Sequence, residues 1–107
     1  MSASVPTIVA SQSFVGETTS ISQDIYTPQN DELLQVNVYR ETTSGSGNAS
    51  PTVSWTDDIG SKSFSLSNEN YAFTIKAKAG HAVHLAISPA VGITYSYYIA
   101  IASLIEL

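Results

Sequence analysis

One hundred and seven residues suffice for one domain and leave no room for a second. Four Lys+Arg against nine Asp+Glu give a net charge of −5, which argues against a nucleic-acid groove working by counterion release. The chain has no cysteine, which excludes disulfides, thiolate metal sites and thiol nucleophiles. No run of about 18 apolar residues is present, so no membrane-spanning helix and no membrane partner are expected; no basic-then-apolar signal segment opens the chain. Charged residues make up only 12% while hydrophobic ones reach 43%. With abundant Ser, Thr, Val, Ile and Tyr, that balance favours β structure over disorder.

Met1 to Ser13 reads as an arm. Val5, Ile8 and Val9 are apolar but follow no period, and Pro6 withholds a ladder hydrogen bond. The expected organisation is therefore an N-terminal arm, 1–13, and a β-sandwich domain, 14–107. Phe14 to Thr27 is β-like, with Gly16 as a bulge candidate, and Pro28-Gln29-Asn30-Asp31 is a turn. Leu34, Val36 and Val38 alternate with Gln35 and Asn37, the period of a half-buried strand. Thr42 to Ser50 carries two glycines and no large apolar residue, so it is expected to be an exposed loop.

Val53 and Trp55 then alternate with Thr and Ser, and Asp57-Asp58-Ile59-Gly60 connects this strand to Phe64 and Leu66 as a hairpin. Tyr71, Phe73, Ile75 and Ala77 form the next run, placing Lys76 and Lys78 on its wet side; Val83, Leu85 and Ile87 form another. Ile93 to Leu107 alternates unbroken, and its second face (Tyr98, Ala100, Ala102, Leu104) is also largely apolar. Seven or eight strands at this spacing specify an all-β, single-domain antiparallel β-sandwich, jelly-roll or immunoglobulin-like. The apolar phases put Val36, Val38, Val53, Trp55, Phe64, Leu66, Phe73, Ile75, Val83, Leu85, Ile87, Tyr97, Ile99 and Ile101 inward.

Candidate chemistry is sparse. His81 and His84 stand three apart, so a strand would point them to opposite faces and away from a shared metal. No Ser/His/Asp arrangement follows from spacing, since triads are geometric. Asp57-Asp58 with Glu17, Asp24, Asp31 or Glu32 could bind Ca²⁺ or act as paired carboxylates, but Asp-Asp-x-Gly is ordinary turn chemistry. Trp55, Tyr71, Tyr95, Tyr97 and Tyr98 could stack on sugars, but core filling with hydroxyls at the rim explains most of them. No catalytic residue, cofactor or metal is expected. Association surfaces are instead expected at Val5, Ile8 and Val9 of the arm and at Tyr98, Ala100, Ala102 and Leu104 of the last strand.

Val53-Ser54-Trp55-Thr56-Asp57, Thr74-Ile75-Lys76-Ala77-Lys78-Ala79-Gly80, Ile93-Thr94-Tyr95-Ser96 and the ending Leu104-Ile105-Glu106-Leu107 resemble a family of short β proteins of tailed bacteriophages and prophages. The resemblance spans about residues 33 to 107. It implies a non-enzymatic virion structural protein, such as a capsid decoration (cement) protein. That protein would bind the major capsid protein or another virion component as a small homo-oligomer, a trimer by preference. The alternative it leaves is a receptor- or glycan-binding module of a tail fibre. A small hydrolase would require a cleft of perturbed carboxylates, which nothing in the sequence suggests.

Overall fold

Alternating apolar residues can be buried on one side of a strand only, so each run must lay that side against another sheet. The computed structural model describes residues 7–45, 49–65, 70–89 and 91–106. Within these, eight strands follow in order: β1 (Thr7–Glu17), β2 (Ile21–Tyr26), β3 (Glu32–Ser44), β4 (Ala49–Thr56), β5 (Ser61–Ser65), β6 (Asn70–Ala77), β7 (Val83–Pro89) and β8 (Thr94–Glu106). They form two four-stranded sheets, ordered β1-β8-β3-β6 and β2-β7-β4-β5, called here sheet A and sheet B. Every pairing is antiparallel. First pairs with eighth, second with seventh, third with sixth and fourth with fifth, as in one long hairpin whose rungs alternate between two sheets. This is the jelly-roll topology, which decides between the two strand orders left open above.

Local chemistry sets the details. Gly16 takes a φ of 66° inside the register shift between Phe14 and Glu17, the left-handed bulge position a glycine fills without strain. Asp57 Oδ1 accepts from the N–H groups of Ile59 at 2.8 Å and Gly60 at 3.1 Å, and closes the β4–β5 hairpin as an Asx turn. Those N–H groups, Ile59's first, hold the Asp57 carboxyl below the usual carboxylate range. At the other end, Asp31 Oδ1 accepts the Ala79 N–H at 2.9 Å and Pro28 O accepts the Gly80 N–H at 2.8 Å, tying the β2–β3 turn to the β6–β7 turn.

The core joins both sheets: Leu34, Val36, Val38, Ile99, Ile101, Tyr95 and Tyr97 from one, Val53, Val83, Leu85 and Ile87 from the other. The expected inward phase holds throughout the described residues. Trp55, Phe64 and Phe73 are only half-buried against the core, because β5 and β6 are edge strands with an inner face open on one side. Leu66 lies outside the described residues.

Two expectations are corrected. Residues 7–13, expected as arm, are the first part of β1 and pair in register with β8, Thr7 with Ser103 through Ser13 with Tyr98. β8's central position supplies a partner that no local period could announce. Thr42 to Ser44, expected as loop, continue β3, and Thr42 still pairs with Tyr95. The molecule is elongated, with extents of 50 × 28 × 18 Å, and the thirteen residues of β8 run along the long axis between β1 and β3.

Candidate functional site

The two outer faces of the sandwich differ in chemistry. On sheet A, cross-strand register aligns Ser13, Tyr98, Tyr39 and Asn70 in one row, then Ser11, Ala100, Asn37 and Ala72, then Ile8, Ala102, Gln35 and Thr74. Beyond these, Leu33 pairs with Ile105. The middle row carries small side chains, so a shallow trough lies between a Tyr98–Tyr39 ridge and an Ile8–Leu33–Ile105 ridge. Tyr98 is 41% exposed, Tyr39 44%, Ile105 49% and Ile8 60%. Together with Val9 and Val15 they are all the exposed large apolar side chains that the described strands carry. Every one belongs to sheet A.

Of the expected association residues, Ile8, Val9 and Tyr98 are exposed on this sheet. Val5 lies outside the described residues. Ala100 and Ala102 differ from the expectation: they retain only 5% and 6% exposure. Their methyl groups sit low on a central strand, under the larger side chains of Ser11, Asn37, Ile8 and Gln35 beside them, so they form the floor of the trough rather than contacts of their own. Leu104 is half-buried and is the extra residue where the β3–β8 register shifts. Tyr39, Leu33 and Ile105 were not anticipated. For Tyr39 and Leu33 the signal was an apolar residue on the polar phase of a strand, whereas Ile105 continued the inward phase of Ile99 and Ile101 and is turned outward by the register shift at Leu104.

The outer face of sheet B is set with Ser and Thr: Thr52, Ser54 and Thr56 on β4, facing Ser65, Ser63 and Ser61 on β5. At its other edge, register brings Asp24 opposite His84 and Ser22 opposite Ala86. Asp24 Oδ1 lies 2.7 Å from His84 Nδ1, and Ser22 Oγ lies 2.9 Å from His84 Nε2. A carboxylate only accepts, so His84 Nδ1–H donates to Asp24 and the Nε2 lone pair receives the Ser22 hydroxyl proton. This Ser–His–Asp relay joins residues sixty positions apart. Its sole local signal was Ser22 and Asp24 sharing one strand face.

The acidic residues do not converge. Asp57 serves its turn, Asp31 its cross-loop bond, and Asp58 pairs with Lys76. Glu32, buried at one end of the sandwich, accepts from the Tyr26 hydroxyl at 2.6 Å and the Ser103 hydroxyl at 2.7 Å. No group of three metal-ligating side chains occurs among the described residues. His81 and His84 stay apart, one exposed before β7 and the other on its outer side. The aromatics pack on one another, Phe64 with Phe73 at 5.2 Å between ring centroids and Trp55 with Phe73 at 6.0 Å. Tyr95 and Tyr97 are buried, which takes two of the five sugar-platform candidates away from a free surface. Burial pushes the Tyr97 phenol well above its ordinary range and raises Tyr95 too.

No family model matches the chain, and no curated protein matches it. Among solved structures it is similar to a chain from the Bacillus endospore appendages, described as a novel family of disulfide-linked pili. The TM-score is 0.45 at 9% identity, covering 99% of this chain and 96% of the other. The bacteriophage resemblance is corrected accordingly: the match is to an appendage protein rather than a virion protein, and no phage family model supports the motifs. Those motifs are strand and turn segments (the Asp57 hairpin, the Ala79-Gly80 turn, two strand ends) that any sandwich of this layout needs. With the resemblance go the capsid-decoration role, the tail-fibre alternative, the virion location and the capsid partner. At such similarity the appendage likeness carries no functional inference of its own.

Proposed function

We propose that the chain is a structural, non-enzymatic subunit that associates with further copies of itself through the outer face of sheet A. The observation that supports this reading is that the exposed large apolar side chains carried by the described strands all lie on that sheet, Ile59 and Val91 standing in turns. Strands of 11, 13, 13 and 8 residues about 4.8 Å apart present a face of roughly 700 Å², close to the ~800 Å² per partner of a stable interface. The face is also self-complementary, since a Tyr98–Tyr39 ridge has a shallow trough beside it to receive the ridge of a second copy. Such an isologous contact closes as a dimer, whereas the trimer expected above would require two different surfaces.

The free edges are guarded against pairing, which directs association to a face. An edge strand invites pairing unless it is short, charged or bulged. β6 carries Lys76, β5 turns Lys62 inward opposite Trp55, and β2 is short and carries Asp24. β1 is long and uncharged from Thr7 to Gly16 but shifts register at Ile8/Ala10 and at Phe14/Glu17, so it too is guarded and the face of sheet A is the surface left for association. With no cysteine in the sequence, no such contact is a disulfide.

Light scattering across a concentration series tests the reading, with Tyr39→Glu/Tyr98→Glu as the variant. The native chain should rise above monomer mass, and the variant should stay monomeric with unchanged circular dichroism. A native chain that is monomeric at every concentration would refute the proposal.

A further inference from the structure

The relay on sheet B lies across the sandwich from the proposed association face and plays no part in that reading. Ser22 and Asp24 project from the outer side of an edge strand, and His84 stands on the neighbouring strand at 2.9 Å from the hydroxyl and 2.7 Å from the carboxylate. Connectivity is that of an activated nucleophile: a base within hydrogen-bond reach of the hydroxyl, itself oriented by a third group. Ser22 and Asp24 are exposed and His84 is half-buried, so an electrophile can approach from solvent. β2 is also the edge of its sheet, so alternate backbone N–H groups along it point away from the ladder.

We propose that Ser22 is a covalent modification site, acylated by small activated carboxylic esters with His84 as general base and Asp24 as positioning residue. Ser22 Oγ adds to the ester carbonyl while its proton passes to His84 Nε2. The tetrahedral intermediate then collapses, the bond to the leaving alkoxide breaks, and His84 returns the proton to that oxygen. The products are O-acyl-Ser22 and the free alcohol, with no oxidant or further reactant needed. The clefts beside Tyr39 and Tyr98 and beside Tyr26 and Glu32 are lined by other residues, and Ser22 and Asp24 stand exposed on their strand, so the acyl group is selected by reactivity and not by shape. With no walls to hold and orient a water molecule, one acyl group per chain is the expected end point rather than turnover.

The test is incubation of the whole chain with p-nitrophenyl acetate, and separately with a fluorophosphonate that reports activated serines, followed by peptide mass mapping. A positioned general base contributes about 10²-fold at the lower end of its range, so Ser22 should label about 10²-fold faster than any other serine. Ser22→Ala, an exposed change that leaves the fold intact, should lose the label. His84→Gln should lose it and regain it with added imidazole. Asp24→Asn should slow labelling with an unaltered melting temperature and recover with Asp24→Glu. Labels scattered over the serines, or Ser22 labelling that survives His84→Gln, would overturn the assignment. Because the readout is a site-specific mass, it fails or succeeds independently of the association test.

Discussion

Replacing Tyr97 by Phe should stabilise the protein. The Tyr97 side chain points into the core from the middle of β8, and its hydroxyl is buried without a hydrogen-bond partner among the described residues. A buried unsatisfied polar group costs about 1–3 kcal/mol, and Phe keeps the ring that packs against both sheets. Subtracting the van der Waals packing of the oxygen atom itself, the gain is about 1–2 kcal/mol. At about 2.1 cal/mol/K per residue, unfolding this chain carries an entropy near 0.22 kcal/mol/K, so Tm should rise by roughly 4–9 °C. Differential scanning calorimetry of both chains at neutral pH reads the shift, at a concentration where their masses are equal. The same hydroxyl predicts an alkaline effect. Below about pH 10 it is protonated whether the chain is folded or not. Above that, the unfolded chain ionises it while burial keeps the folded chain protonated, so unfolding releases a proton and stability falls as pH rises, by up to ~1.4 kcal/mol per unit. Tyr97→Phe should flatten that slope. A lower Tm for the Phe variant, with the slope unchanged, would show that the hydroxyl is satisfied and refute the reasoning.

Other substitutions probe different parts of the argument. Gly45→Ala places a Cβ 2.5 Å from the Gly92 carbonyl oxygen at a φ of +88°, so it should cost about 1–3 kcal/mol in urea unfolding. Leu85→Ala empties a fully buried position on β7 and should cost about 2–5 kcal/mol, enough to lower Tm by at least about 9 °C on the same scale. Trp55→Ala should cost less than the ~3–5 kcal/mol of a fully buried ring, because one side of Trp55 faces the open edge; a full-sized loss would place it in the closed core. Ala102→Glu should disturb the sheet itself, seen as altered circular dichroism, since Ala102 has no free surface to place a charge on.

Strand alternation in the sequence determined which residues are inside. Leu34 to Val38, Val83 to Ile87 and Tyr95 to Ile101 can bury one phase only, and a slip of one residue would expose the whole set. The Asp57 and Ala79-Gly80 turns were equally local, because an Asx oxygen and a glycine act within a few residues of their own position. Beyond the β4–β5 hairpin, the sequence could not say which strand lies beside which, since pairing between residues far apart in the chain leaves no local trace. That decided the jelly-roll order, the recruitment of residues 7–13 into β1 beside β8, and the sinking of Ala100 and Ala102 below their neighbours. It also assembled the apolar ridges of Tyr39, Tyr98, Leu33 and Ile105, and brought His84 between Ser22 and Asp24. Each depends on register across strands, a property the chain acquires only when the two sheets close on a common core.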